Sequence, residues 1–344
     1  MSIYLDHAAM TPPLPCALEA YQNAPFGNPS SEHEAGERAR DALEHAREAI
    51  AKWMLCDTSE IYFTSTATEA AALALHSLAE AGYKIIQSGV EHHAISENVK
   101  KANWRTVAFA RMHTQNETGE ILPVLNISSP DLLLCDATAA VGHLPAYMTG
   151  FSNLGCDYLI ADAIKFGGVP GAAFLIVKKG SPLSPLIRGG GQERGMRSGT
   201  ENVPAICAMA AALEWQMQHM DENTQKIAAM RQILVQSLSR IENHKWNTPF
   251  ESPCVPHILN ISFDGVDARA LSMLLSKEGV MVSPGAACSN GLNESSHVIM
   301  AMYHDEARAR SALRISLSHT NTPDECVEAA EKIKNAVAYL RSLS

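Results

Sequence analysis

The sequence lacks the features that mark membrane, secreted and nucleic-acid-binding proteins. No apolar run approaches the roughly 18 residues that span a bilayer. The first residues, MSIYLDHAAMTPPLP, contain neither the basic nor the apolar segment of a signal peptide. Lysine and arginine form no run, and 37 acidic against 27 basic residues give a formal net charge of −10, which disfavours a polyanionic partner. We therefore expect a cytoplasmic protein with no membrane and no nucleic acid among its partners.

The common short motifs of catalysis and metal binding are also missing. The eight cysteines include no CxxC pair, so the spacing that zinc ribbons and thioredoxin-like redox sites require is absent, and no metal site is expected. Walker, HExxH and GxSxG motifs do not occur, and the glycine-rich GGGQERG at 189–195 does not satisfy GxGxxG. A dinucleotide site therefore has no support, and most of the cysteines are expected to be free, buried thiols.

What is present is an α/β pattern long enough for about two domains, since the chain has 344 residues and is 46% hydrophobic. Short apolar runs predict strands at Ile61–Thr64, Ile85–Gln87, Thr106–Ala110, Leu132–Asp136, Tyr158–Ala161 and Ala173–Val177. Helix-like stretches such as Ala67–Ala81 and Glu91–Lys101 lie between them. This alternation predicts a mostly parallel sheet flanked by helices.

The pattern changes in the last third of the chain. Two long helices are expected at about Val203–His219 and Glu222–Ile241, and the Pro-rich segment Asn247–Pro256 is interpreted as a linker. The elements expected after it are strand His257–Phe263, helix Ala268–Lys277, strands Val280–Ser283 and Leu313–Leu317, and helix Asp324–Leu343. We therefore expect a large domain at 13–246 and a smaller α+β domain formed by 1–12 and 257–344.

Four polar clusters follow apolar strands or stand in small-residue loops. The segment Thr64–Glu69 offers hydroxyls and helix N–H groups to an anion, or simply caps a helix. Asp136 ends a strand. A carboxylate in that position is suited either to face a cationic ring nitrogen or to cap a turn. Lys165 lies among apolar neighbours, which favours Schiff-base chemistry, although a lone lysine more often lies at the surface. Cys288 stands in a Gly/Ser-rich loop, where a thiolate is accessible.

The order and spacing of these clusters resemble the cysteine desulfurases, pyridoxal-phosphate enzymes of the class V aminotransferase group. The matching segments, in chain order, are YLDHAAMTP (4–12), GNPSSEH (27–33), FTSTATE (63–69), Glu91-His92, NETG (116–119), Asp136, Lys165, GGGQERGMRSGT (189–200), the Cys288 loop and LRIS (313–316). Each motif alone is weak, but their common order over nearly the whole chain is specific.

The resemblance implies the fold of pyridoxal-phosphate transferases, with a large domain built on a mostly parallel sheet, a smaller α+β C-terminal domain, and a homodimer. It implies that Lys165 carries pyridoxal phosphate covalently and that His92 stacks on the ring and assists proton transfer. Asp136 would pair with the pyridinium nitrogen, which lets the ring act as an electron sink. The backbone at Ala67 and the Thr68 hydroxyl would bind the phosphate.

The resemblance also implies the substrate side of the site. Arg314 would bind the carboxylate of L-cysteine as a fork, assisted by Asn116, and Thr200 would reach the phosphate from the partner subunit. Cys288 would attack the substrate sulfur, releasing L-alanine and leaving a persulfide. A sulfur-acceptor protein, such as an iron–sulfur scaffold or a thiolation partner, would then receive the sulfur.

The sequence departs from the family pattern around the phosphate and the ring. Asp162 and Ile164 stand where the family usually has the serine and histidine of Ser-x-His-Lys, both of which bind the phosphate. Ala139 replaces a glutamine that donates to the ring oxygen, and Ala71 and Ala72 replace paired asparagines. Losing two or three hydrogen bonds to a charged group, at about 1.5–3 kcal/mol each, weakens binding by orders of magnitude.

These departures leave two alternatives beside a working cysteine desulfurase. One is a non-catalytic or partner-dependent dimer that binds the cofactor weakly. The other is a different pyridoxal-phosphate reaction on the same fold, namely selenocysteine cleavage or amino-group transfer.

Overall fold

The structure is a computed structural model that describes residues 2–99, 106–123, 125, 131–285 and 295–343. The strands are β1 Ile3–Tyr4, β2 Ile61–Thr64, β3 Tyr83–Gln87, β4 Thr106–Met112, β5 Leu132–Asp136, β6 Tyr158–Asp162, β7 Ala173–Val177, β8 His244–Trp246, β9 Ile258–Phe263, β10 Val280–Met281, β11 Ser283–Pro284 and β12 Ala312–Ser316. The helices are α1 Pro15–Asn23, α2 Glu34–Met54, α3 Ala67–Glu80, α4 His93–Ser96, α5 Ala146–Thr149, α6 Phe151–Leu154, α7 Val203–Gln218, α8 Met220–Leu238, α9 Ala268–Lys277, α10 His297–Tyr303, α11 Glu306–Arg310 and α12 Pro323–Ser342.

The chain forms two compact units. The large unit consists of Pro12–His113 and Pro123–Met220, and the small unit consists of the chain up to Thr11, Thr114–Leu122 and the chain from Asp221 onward. These are units of packing, and the domain limits inferred from the sequence stay a prediction.

A six-stranded sheet forms the centre of the large unit, in the order β2-β7-β6-β5-β4-β3. Strands β3 to β6 are parallel, whereas β7 runs antiparallel to both of its neighbours, β6 and β2. Strands β2 and β6 therefore point the same way, and the carboxyl ends of five strands lie at one edge of the sheet. The expected mostly parallel sheet flanked by helices is confirmed.

Helix α3 covers part of this sheet with an apolar face. Its Leu75 and Leu78 are buried with Ile85, Leu134 and Ile160 of the strands. Burying one such aliphatic side chain stabilises the folded state by about 1.5–3 kcal/mol relative to leaving it exposed.

The small unit has a four-stranded antiparallel sheet in the order β11-β12-β9-β8. Its core joins Phe263 and Ile315 of the strands to Leu271, Ile333 and Leu234 of α9, α12 and α8. A parallel pair, β1 with β10, completes the unit, so the expected strand at Val280–Ser283 is divided between two partners.

Two expectations about local structure are wrong. Helical structure within Glu91–Lys101 covers only His93–Ser96 among the described residues. The segment Asn247–Pro256, interpreted as a linker, lies within the small unit, where Asn247 is fully buried and its side-chain amide donates to Asn260 Oδ1 and Ser262 Oγ. The proline and polar residues of this segment indicated irregular backbone. The Asn247 side chain, however, forms its hydrogen bonds inside the small unit.

None of the helices in the described part of the chain has the length and apolar character that crossing a bilayer requires.

The glycine-rich GGGQERG segment contains a buried ion pair that anchors it to the sheet. Arg47 of α2 donates to Glu193 through Nη2 at 2.8 Å and Nη1 at 3.1 Å, and the amide of Phe63 donates to the same carboxylate at 2.8 Å. Arg47 is 2% exposed and Glu193 5%. Burial alone would lower the pKa of Arg47, but the Glu193 carboxylate raises it.

Glu193→Gln is expected to lower the free energy of unfolding by about 3 kcal/mol, because it leaves the buried Arg47 with only the half-exposed Glu44 carboxylate, at 3.2 Å, as a counter-charge. Urea unfolding followed by tryptophan fluorescence measures this change. The matched control is Glu214→Gln, whose partner Lys52 lies at 3.8 Å on the surface, and it should change stability by less than about 0.5 kcal/mol. Equal effects of the two substitutions would contradict the assignment of Glu193 as an anchor.

Candidate active site

The carboxyl edge of the large unit's sheet collects most of the residues expected to bind a cofactor. Strand β2 leads into α3 through Thr64, β5 ends at Asp136, and β6 ends at Asp162, directly before Lys165. Asp162 interacts electrostatically with both Lys165 and Asp136. In open α/β sheets this edge is the usual place for ligands.

Lys165 is held by a well-anchored backbone. It ends a 3₁₀ turn, Ala163–Lys165, in which the Asp162 side chain accepts from the Ile164 amide. The carbonyl of Lys165 lies 2.9 Å from His143 Nε2. The lysine is half-buried, and the backbone that carries it is thereby fixed at the end of β6.

Asp136 is 8% exposed and has one carboxylate oxygen in use. Its Oδ1 accepts from the Thr138 amide at 3.0 Å, whereas within the described residues Oδ2 has no hydrogen-bond partner. A buried carboxylate with an open oxygen is the group that a protonated ring nitrogen needs. Ala139, three residues after the strand-end Asp136, has no side-chain donor to offer.

His92 begins α4, and its Nδ1 accepts from the Ala94 amide at 3.0 Å. A neutral imidazole in this arrangement carries its proton on Nε2. The preceding Glu91 is 1% exposed and accepts from Ser88 Oγ and the Met112 amide, both at 2.7 Å. Burial, together with a smaller contribution from nearby Asp136, raises the pKa of Glu91 to about 7.

The phosphate side differs from the rest of this edge, because protein carboxylates already occupy its donors. The amide of Ala67, the first residue of α3, donates to Asp162 Oδ2 at 2.8 Å. The amide and hydroxyl of Ser65 both donate to Glu69. Thr68 and Thr200 are exposed, and the reach of Thr200 into a partner subunit stays a prediction.

The small unit holds the residues expected to bind the substrate carboxylate. Arg314 of β12 is 3% exposed; it donates through Nη2 to Asp6 Oδ1 at 3.1 Å and through Nη1 to the Asn116 carbonyl at 3.2 Å. Its Nε is buried and has no partner among the described residues. Asn116 thus contacts the guanidinium with its backbone, and a role for its amide side chain stays a prediction.

Glu117, next to Asn116, lies against both flanks of the segment that contains Cys288. It is 3% exposed and accepts from Ser296 Oγ at 2.6 Å. A Cβ added at Gly285 would lie 2.7 Å from Glu117 Oε2, so a larger residue there would force the Glu117 carboxylate to move. Cys288 itself lies outside the described residues.

Two buried glutamates, Glu91 of the large unit and Glu117 of the small unit, had no role in the sequence interpretation. Both belong to motifs that carried the resemblance, Glu91-His92 and NETG at 116–119. The signal was present in the motifs, but a glutamate in a loop gives no indication of its burial.

Glu117 should make stability depend on pH, because burial raises its pKa to about 7 whereas an unfolded glutamate titrates near 4.5. The folded chain therefore binds more protons between these values, and the contribution of this carboxyl to stability falls as pH rises from about 4.5 to 7. Glu117→Gln keeps an acceptor for Ser296 and removes the titration. The free energy of unfolding of the variant, relative to the original chain, should rise by about 3 kcal/mol between pH 4.5 and 7.5.

Urea unfolding at several pH values measures this difference. The control Glu120→Gln, three residues further along the chain, should show the same change of unfolding free energy with pH as the original chain. A Glu117→Gln curve that also runs parallel would contradict the assignment.

The residues at the sheet edge fit pyridoxal phosphate at its ring. The anchored Lys165 provides the amine, the open Oδ2 of Asp136 suits a ring N–H, and the capped His92 presents an imidazole with a defined tautomer. Binding of the phosphate group depends on the Asp162 carboxylate, which accepts from the Ala67 amide at the start of α3.

The comparison with known proteins agrees with this arrangement. The family model "Aminotransferase class-V" matches residues 3–108 and 96–328. The chain is 34% identical to "Cysteine desulfurase IscS" of Dictyoglomus turgidum, over 99% of this chain and 96% of that protein. It is 33% identical to an "IscS-like cysteine desulfurase" of Mycobacterium tuberculosis, over 98% and 97%. The solved structure of a "NifS-like protein" superposes with a TM-score of 0.89 at 32% identity, covering 98% of this chain and all of that one. The chain belongs to the class V aminotransferase family, within its group of cysteine desulfurases.

Proposed function

We propose that this protein removes sulfur from L-cysteine, releases L-alanine, and holds the sulfur as a persulfide on Cys288 before an acceptor protein takes it. The observation that carries the proposal is the carboxyl edge of the sheet, where Lys165, Asp136 and the start of α3 lie together. In a chain of the cysteine desulfurase group, these are the parts that a pyridoxal-phosphate enzyme requires.

Pyridoxal phosphate would be held covalently by Lys165 and would supply an electron sink for the carbon atoms of a bound amino acid. Asp136 would hold the ring nitrogen in its protonated form through Oδ2. His92 would contact the ring and assist proton transfer. Thr68 would bind the phosphate, together with Thr200 of the partner subunit in a homodimer.

Arg314 binds the substrate carboxylate. Its guanidinium is already oriented by Asp6 and by the Asn116 carbonyl, so little side-chain entropy is lost when a carboxylate binds. The two contacts hold the guanidinium rigidly in place.

The sulfur step belongs to Cys288. Its thiolate attacks the sulfur of the bound cysteine, an S–S bond forms, and the substrate C–S bond breaks. The electron pair of that bond stays on the substrate carbon, which takes up a proton and becomes the methyl group of alanine. The persulfide then passes its outer sulfur to a thiolate of an iron–sulfur scaffold or a thiolation partner.

Arg314→Lys is the sharpest test of the substrate assignment. Lysine cannot hold Asp6 and Asn116 and also form a two-point contact with a carboxylate, so the KM for L-cysteine should rise about 10–100-fold with a smaller change in kcat. Alanine release from the reconstituted enzyme, measured against cysteine concentration, gives both constants.

Arg310→Lys is the matched control. This arginine is exposed and pairs with Glu306 four residues earlier, so its replacement should leave KM unchanged. An unchanged KM in Arg314→Lys would contradict the substrate role of Arg314. Absence of alanine from the original chain, at any cysteine concentration, would contradict the proposed function itself.

A further inference from the structure

The turn between β2 and α3 has a geometry that can bind an anion, and a carboxylate of the protein already binds there. Asp162 is 5% exposed, and its Oδ2 accepts from the Ala67 amide at 2.8 Å while Oδ1 accepts from the Ile164 amide at 3.2 Å. A carboxylate at a helix N-terminus satisfies an otherwise open donor and interacts favourably with the helix dipole. A phosphate at this turn requires the same Ala67 N–H.

The neighbouring donors of Ser65 and Glu69 are also engaged within the protein. Glu69 accepts the amide and hydroxyl hydrogens of Ser65, and its own amide donates to Thr66 Oγ1. Arg197, a cation beside this turn, is paired with Glu69 at 2.6 Å. Burial alone would raise the pKa of Glu69, but its hydrogen bonds from Arg197 and Ser65 lower it, so Glu69 stays ionised.

The charges that face Asp162 come from the strands and the turn around it. Lys165 attracts the carboxylate from the 3₁₀ turn, whereas Asp136 repels it from the end of β5, and burial raises the pKa of Asp162. On α3 the charge closest to the start of the helix is Glu69, which is paired with Arg197. A dianionic phosphate placed at this turn would add two like charges next to the carboxylate, and like charges at close range share a proton rather than both ionise.

We propose that Asp162 makes phosphate binding at this turn dependent on a proton. The phosphate of the cofactor binds the form in which Asp162 is a carboxylic acid: the acid releases the Ala67 N–H to a phosphate oxygen and donates its own O–H to another. The ionised carboxylate competes with the phosphate for the same N–H. Binding therefore takes up one proton from solvent, and this proton lies between Asp162 and the phosphate. This inference rests on the proposed function in assigning pyridoxal phosphate to the site.

The consequence is a pH-dependent affinity for the cofactor. Between the pKa of Asp162 in the free protein and its value in the complex, uptake of one proton raises the Kd about tenfold per pH unit. Above about pH 6.5 the phosphate is already mostly dianionic, so its own titration contributes little. A serine at 162 has no charge to compete and still donates a hydrogen bond.

The experiment measures Kd for pyridoxal phosphate on the cofactor-free full chain from pH 6.5 to 8.5, by equilibrium dialysis. The ratio of Kd between the original chain and Asp162→Ser should rise about 100-fold over this range. Asp162→Asn should flatten the pH dependence in the same way, and it covers the case in which the serine variant does not fold. Pyridoxal, which has no phosphate, should bind the original chain and both variants with the same pH dependence.

Asp157→Asn is the matched control, because Asp157 is an equally buried aspartate just before β6, at its opposite end, where it accepts from the Leu133 amide. It should leave the pH dependence of the original chain unchanged. Equal Kd values and slopes in the original chain and in Asp162→Ser would overturn the inference while the proposed function stands. Failure of pyridoxal phosphate to bind either protein at any pH would overturn both.

Discussion

Lys165→Ala should abolish covalent attachment of pyridoxal phosphate and reduce alanine formation by about 1000-fold or more, because no other group replaces an amine held at the end of β6. The turn that carries Lys165 is fixed by the Asp162 cap and by the contact of its carbonyl with His143 Nε2 at 2.9 Å. These contacts involve the backbone, so alanine at 165 preserves the turn and removes only the amine.

Borohydride reduction followed by mass spectrometry of peptides measures the attachment directly. The original chain should gain the mass of reduced pyridoxal phosphate on Lys165, and the variant should gain none. Lys178→Ala is the control, since this lysine lies on the surface near Asp157 and its loss should affect neither attachment nor rate. A reduced adduct on another lysine of the Lys165→Ala protein, with activity retained, would contradict the assignment.

The sheet could be predicted from the sequence because its central strands, such as β6 and β7, are buried on both faces and therefore appear as short apolar runs. Ile61–Thr64, Leu132–Asp136 and Ala173–Val177 have the bounds that their apolar residues predicted. The positions of Asp136 and Lys165 followed, since residues that end parallel strands meet at one edge. The helix expected over Glu91–Lys101 failed because His92 ends the loop as a cap and only one turn follows.

The electrostatics of the site could not be predicted, because they depend on pairs that are distant in sequence. Glu193 reaches Arg47 across 146 positions, and Asp162 reaches Ala67 across 95. The sequence identified Asp162 as a departure beside the phosphate, but it gives no indication of what the side chain contacts. The contact with the Ala67 amide is visible only in the folded chain.

Cys288→Ala should lower sulfide release in the presence of a thiol reductant by about 100-fold or more, while pyridoxal phosphate stays attached to Lys165. The alanine side chain at position 288 cannot accept sulfur. No protein thiolate then attacks the substrate sulfur, and the substrate C–S bond is not broken. The other thiols are poor substitutes: burial raises the pKa of Cys254, and burial with nearby Glu60 and Asp57 raises that of Cys56 to about 12. The thiolate is the reacting form, so these cysteines are largely unreactive at neutral pH.

Sulfide assays and mass spectrometry of the persulfide, trapped by alkylation after one turnover with cysteine, separate the steps. The original chain should carry the extra sulfur on Cys288, and the control Cys254→Ala should carry it there too. Transamination or selenocysteine cleavage requires no protein thiol and would survive in Cys288→Ala, so persistence of either reaction would identify it as independent of the sulfur step. Sulfide release at the original rate from Cys288→Ala would show that sulfur leaves the substrate without this cysteine, which contradicts the persulfide route.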